Sequence, residues 1–127
     1  MIRKHGKSER SKAIKNLDIL WSKAIRTRDP ICRKCKKVRS SQAAHIFTRN
    51  NLSTRWEKRN GLGLCFYCHI FWGHRNPIEF TEWVIGEMGK VQFEALRRRT
   101  KELYQFTAKD YEKVKNILGS SNGETKE

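Results

Sequence analysis

Four cysteines are the residues in this sequence most able to do chemistry, and they fall as two pairs. Cys32-Arg-Lys-Cys35 and Cys65-Phe-Tyr-Cys68 are both C-x-x-C, with 29 residues between them. A C-x-x-C turn sets two thiolates on one side of a tight knuckle at the separation a tetrahedral metal needs, and two knuckles complete four ligands. The pattern predicts a structural Zn2+ site on Cys32, Cys35, Cys65 and Cys68. The N-terminus, Met-Ile-Arg-Lys-His-Gly-Lys, is basic with no apolar run behind it. An unexported chain keeps its thiols reduced, which favours metal over disulfides. The neighbouring Arg33, Lys34, Lys36 and Lys37 are expected to lower the thiol pKa values and offset the charge of a four-thiolate site. The competing reading, four buried or redox-active cysteines, does not explain the paired spacing.

The chain has 127 residues, 28 Lys and Arg against 13 Asp and Glu, and a formal net charge of +15. That length suits one domain. The charge points to a polyanionic partner, nucleic acid above all, because each phosphate neutralised releases condensed counterions. A membrane-surface helix would segregate its cations opposite a bulky apolar face, whereas here basic residues run through every segment. No run approaches the roughly 18 apolar residues of a membrane span. The expectation is a cytoplasmic protein with no membrane partner. Charge does not distinguish an enzyme from a binding module.

The elements that must position the cysteines follow from periodicity. Residues 1–10 read as a basic flexible arm. Ile14, Leu17, Trp21, Ala24 and Ile25 form one stripe of a helix over 11–28, which Asp29-Pro30 ends. Val38 to Phe47 reads as strand-like, 48–59 as a polar basic loop, and Asn60 to Leu64 as a turn with a short extended entry into the second knuckle. A short helix carrying His69 follows and is interrupted at Gly73. Asn76-Pro77-Ile78-Glu79 opens another helix, striped by Phe80, Trp83, Val84 and Met88 and stopped at Gly89. Helices are expected over about 91–104 and 107–118, with a flexible tail at 119–127. Few apolar residues lie between 30 and 75, so four metal bonds would substitute for burial there.

The order Cys-x-x-Cys, Ala43-Ala44-His45-Ile46, Asn60, Leu64-Cys-x-x-Cys-His69 resembles the zinc-bearing branch of the HNH, or ββα-metal, endonucleases, and within it phage recombination proteins of the Rap/NinG type. The motif core covers residues 32–74, and the likeness extends weakly from Leu20-Trp21-Ser22-Lys23 and Arg28-Asp29 to about residue 118. The resemblance implies a small α+β fold, a zinc-stabilised ββα-metal core at about 30–75 within one nuclease domain over 11–118, led by an N-terminal helix and covered by helices over 76–118. It implies a metal-dependent DNA endonuclease, phage-encoded and working in the host cytoplasm in recombination, packaging or genome processing. His45 would be the general base, since an imidazole titrating near neutrality can take a proton from water. Asn60 would hold the histidine loop. His69 would bind a catalytic divalent ion, Mg2+ or Mn2+ with Zn2+ or Ni2+ as alternatives. Ala44 stands where many members carry a second ligand, and His74 is the candidate to replace it.

Arg49, Arg55, Lys58 and Arg59, between base and helix, are candidates for phosphate contacts that position duplex or branched DNA without reading sequence. The competing readings are plain. His69 could be an outer donor to the zinc site, His45 a packed histidine, Asn60-Gly61 an ordinary turn, and Arg97-Arg98-Arg99 a solvated helix face. Trp21, Trp56, Phe66, Phe71, Trp72, Phe80 and Trp83 are core before they are base-stacking. As functions, a non-catalytic zinc-stabilised nucleic-acid-binding module and an RNA-directed role stand beside the nuclease. The sequence leaves monomer or homodimer open.

Overall fold

The computed structural model describes residues 8–124, with side chains described through Gly119. Helix α1 spans Glu9–Arg28 and begins two residues before the expected start, because Ser8 caps it: its Oγ accepts from the Ser11 amide at 3.1 Å. Glu9 and Arg10 are therefore helical, and the remainder of the expected arm, residues 1–7, lies outside the described residues. The stripe read from the sequence is the buried face: Leu17, Trp21, Ala24 and Ile25 are all inside. Burying each large apolar side chain contributes about 2–3 kcal/mol.

Asp29 ends α1 and ties three segments together. Its carboxylate accepts from Arg28 at 2.9 and 2.7 Å, from the Gly63 amide at 2.9 Å and from Arg33 at 3.4 Å, while its carbonyl accepts from the Ser40 hydroxyl. Burial alone would raise this carboxyl; the Arg28 and Gly63 donors and the two guanidinium charges outweigh it and hold it below the usual range. The first knuckle follows. It turns at Lys36, whose φ of 58° is the left-handed conformation, and an isolated bridge, Ile31↔Arg39, closes it.

Strand β1, Gln42–His45, pairs antiparallel with β2, Gly61–Leu64, in the register Gln42↔Leu64 to His45↔Gly61. The strand-like stretch expected over 38–47 is thus shorter, since its first residues close the knuckle. Gly61 lies against Trp21 and Gly63 against Asp29 so closely that any side chain would collide with them. The expected loop at 48–59 is not irregular throughout: it contains a one-turn helix α2, Leu52–Arg55, and a 3-10 turn, Lys58–Asn60, with Ser53 and Thr54 buried.

After β2 the second knuckle leads into a π-helix, Tyr67–Gly73. Helix α3, Pro77–Met88, starts at the expected proline. Helix α4, Lys90–Arg99, stops five residues before expectation, where the Thr100 side chain folds back on the Arg97 carbonyl at 2.6 Å. Helix α5, Ala108–Glu124, opens on the reciprocal bonds of Thr107 and Asp110 and continues through part of the expected tail; residues 125–127 lie outside the described residues. The result is a small α+β protein. One core cluster joins α1 to Trp56 and Leu118 of α5. A second gathers Cys32, Cys65 and Cys68 with Ala44 and Leu64, and a third joins Leu62 to Val84 and Phe93 of α3 and α4.

Candidate functional site

The two knuckles converge. The Sγ atoms of Cys32, Cys35, Cys65 and Cys68 all lie within 4.8 Å of one another, none is in a disulfide, and together they could hold a metal ion. Four thiolates 2.3 Å from a tetrahedral ion stand about 3.8 Å apart, so the cluster needs little movement to close on one. Burial opposes ionisation of Cys32, yet the backbone amides of Cys35, Cys65 and Lys34 outweigh it and bring the thiol down to about 6. Cys68 is pushed the other way, by burial and by its neighbours Cys65 and Cys32. Backbone N–H groups lower Cys32, whereas Arg33 is engaged by Asp29 and Glu87 and Lys34 lies 4.4 Å over the Trp72 ring.

His45 ends β1. Its Nε2 lies 3.0 Å from the Arg55 carbonyl oxygen. A carbonyl only accepts, so Nε2 carries the proton and Nδ1 keeps its lone pair. The ring is stacked on the Trp21 indole, centroids 3.9 Å apart and planes 9° from parallel. Burial, first among the causes, lowers the His45 pKa; the bond to Arg55 and the Asp18 charge pull upward, and the Arg55 and Arg49 charges pull down. The imidazole is therefore neutral at pH 7.

Asn60, fully buried, clasps the segment that follows His45. Its Oδ1 accepts from the Phe47 amide at 2.8 Å, and its Nδ2 donates to the carbonyls of Phe47 at 3.0 Å and Thr54 at 3.1 Å. The Asn60 carbonyl also accepts from the Ile46 amide. Asn60-Gly61 is thus more than a turn: the side chain fixes both ends of the loop that returns Arg55 to His45.

His69 Nδ1 lies 2.6 Å from Gln42 Oε1, which assigns the proton to Nδ1 and leaves Nε2 able to bind a metal. Burial, then the charges of His74 and His45, hold this imidazole down at about 4, so the three rings share one electrostatic neighbourhood. The His69 and His74 ring centroids are 4.6 Å apart. The short helix ends at Gly73, as the sequence suggested, but it is a π-helix; Gly73 is its last residue, packed near the Cys68 carbonyl and Phe80. Ala44 is buried among the thiols and offers no ligand.

The expected phosphate contacts divide. Arg55 is a correction: its Nε and NH2 atoms reach the Asp18 carboxylate at 3.0 and 2.8 Å and its NH1 reaches the Arg49 carbonyl, so the guanidinium is committed inside the protein. Arg59 pairs with Glu57 at 3.1 Å but remains exposed. Arg49 is exposed, and Lys58 is half-buried with its carbonyl accepting from Arg28. Sequence reasoning gave no role to Gln42, Asp18 or the Trp21 ring face, and no spacing signal marks them, since each meets its partner only through the fold. Neither family models, characterised proteins nor solved structures yield a match to this chain.

Proposed function

We propose that this chain is a metal-dependent DNA endonuclease of the ββα-metal kind, stapled by a structural zinc on its four thiols. The observation that carries the reading is the place of His45, its Nε2 3.0 Å from the Arg55 carbonyl and its ring in the same electrostatic neighbourhood as His69 and His74. A four-sulfur tetrahedral donor set suits zinc. His69, through Nε2, and His74 would hold a divalent cation such as Mg2+ or Mn2+. When bound, such an ion would supply positive charge to stabilise the negative charge that develops on the phosphate as the bond breaks.

The chain's own groups do the rest. His45 Nδ1 takes a proton from water, the resulting hydroxide forms a bond to phosphorus, and the bond from phosphorus to the 3′ oxygen breaks, the oxygen taking a proton from solvent. The products are a 5′ phosphate and a 3′ hydroxyl. Asn60 keeps the Arg55 carbonyl in place, and Arg49, Lys58 and Arg59 remain candidates for backbone contacts within a chain of net charge +15. The likeness of the motif order to Rap/NinG-type phage proteins supports use in recombination, packaging or genome processing. A second reading, a non-catalytic zinc-stabilised nucleic-acid-binding module, is favoured by one observation, that buried Ala44 removes a metal ligand from the site. Supercoiled plasmid incubated with the zinc-loaded chain and Mg2+ or Mn2+ separates the two: nicked circles with ligatable 5′ phosphates are expected, and plasmid shifted in mobility but uncut with either ion would favour the binder.

A further inference from the structure

Resting on the nuclease reading, we propose that Asp18 and Trp21 on α1 are positioning residues that fix the orientation and proton placement of His45. The observations form a closed chain of contacts. The Asp18 carboxylate grips the Arg55 guanidinium through two bonds, Oδ1 to Nε at 3.0 Å and Oδ2 to NH2 at 2.8 Å, and Oδ1 also accepts from Trp56 Nε1 at 2.9 Å. The gripped residue presents its carbonyl to His45 Nε2. The same helix, one turn on, presents the Trp21 ring to the His45 face, and Trp21 is itself anchored, its Nε1 donating to the Glu57 carbonyl at 2.8 Å.

Each contact removes one freedom. The stack fixes the plane of the imidazole, and the carbonyl fixes its rotation within that plane and assigns the proton to Nε2. The fork between guanidinium and carboxylate is planar and bidentate, a geometry that a single ammonium does not reproduce. Without Asp18 the half-buried Arg55 side chain would lose its partner, the 49–56 segment would shift, and the carbonyl would lose its aim. Both Asp18 and Arg55 keep part of their surface in water, 27% and 16% exposed, so the pair tolerates an isosteric change. The groups that act on His45 are Asp18 and Trp21 from α1, Arg49 from the following loop, Arg55 at the end of α2, and His69 from the π-helix.

The test uses the full zinc-loaded chain, 15N-labelled at histidine, without any other divalent ion. Nitrogen shifts of His45 are expected to show one tautomer with the proton on Nε2. In Asp18→Asn, which keeps shape but loses charge, both tautomers are expected, together with a ~10- to 100-fold loss of plasmid-nicking turnover at unchanged DNA affinity. Asp18→Glu should recover part of both. If Asp18→Asn does not fold with bound zinc, Arg55→Lys, which keeps the charge and loses the fork, is measured instead with the same expectation. A single Nε2–H tautomer in these variants with wild-type turnover overturns the proposal, as does an Nδ1–H tautomer in the unaltered chain. The tautomer readout stands without catalysis, so a chain that cuts no DNA but loses its tautomer in Asp18→Asn defeats the nuclease reading and keeps the clamp.

Discussion

The amide of His74 donates to the carbonyl of His69 across 3.0 Å, a bond spanning five residues rather than four. On an α-helix the residue stacked over position 69 would be Gly73, which has no side chain to offer. The wider π turn takes in one more residue and brings the His74 ring within 4.6 Å of His69. Two imidazoles that the proposed function would use to hold a divalent ion are thereby brought together from a spacing that an α-helix would separate. His69→Ala should abolish Mn2+ binding by calorimetry, and His74→Ala should weaken it by roughly tenfold, with the zinc content of both unchanged. Full Mn2+ affinity in His69→Ala would mean that the ion binds elsewhere.

Few large apolar side chains surround the four thiols apart from Leu64, Phe80 and Trp83, so a zinc bound there is expected to contribute to folding. Cys32→Ser should lower the zinc content from one per chain towards none and cost about 3 kcal/mol or more, a melting temperature lower by roughly 10 °C. Elemental analysis beside thermal unfolding checks both. An unchanged melting temperature with zinc lost would make the site incidental to the fold.

Asn60 satisfies three polar groups in a place water does not reach. Asn60→Ala leaves them unpaired at a cost of about 2–4 kcal/mol in urea unfolding, and the Phe47 amide should lose much of its hydrogen-exchange protection. Asn60→Asp should do no better, since a carboxylate facing two carbonyls has no proton to give them.

These sites were legible in the sequence to different depths. The cysteines were plain because a C-x-x-C turn is a local device and needs no knowledge of the fold. Leu17, Trp21 and Ile25 were plain as one helical stripe, and Asn76-Pro77 as a helix start. The face of Trp21 that carries His45, the pairing of Asp18 with Arg55 across 37 residues and the bond from Gln42 to His69 were not. Each depends on how α1 and β1 pack, which periodicity does not encode. Arg55 misled for the same reason: a cation in a polar loop reads as solvent-facing until its carboxylate is found. Gly73 was legible as the end of the short helix, but its π turn was not, because the sequence carries no mark of one.

Burial sets the pH response. His45 has a folded pKa below its ordinary 6.5, so the unfolded chain takes up the proton first as the medium is acidified. The stability this group supports is complete above pH 6.5 and declines as pH falls through that value towards the folded one. The rate, which needs the neutral ring, should hold its plateau to below 6.5. A pH–rate profile for plasmid nicking at saturating Mn2+ should place its acidic limb on the low side of 6.5; a limb centred above 7 would mean that another group is the base.

The most direct measurement is the single-turnover rate of phosphodiester cleavage in a labelled duplex, with saturating Mn2+, for the zinc-loaded chain and for His45→Ala at matched DNA occupancy. Cleavage by the first and a loss of at least about a thousandfold in the second is the result expected of a general base, whose contribution is of order 10²–10⁴. Equal rates in the two, or DNA held by the unaltered chain and left whole, would contradict the account.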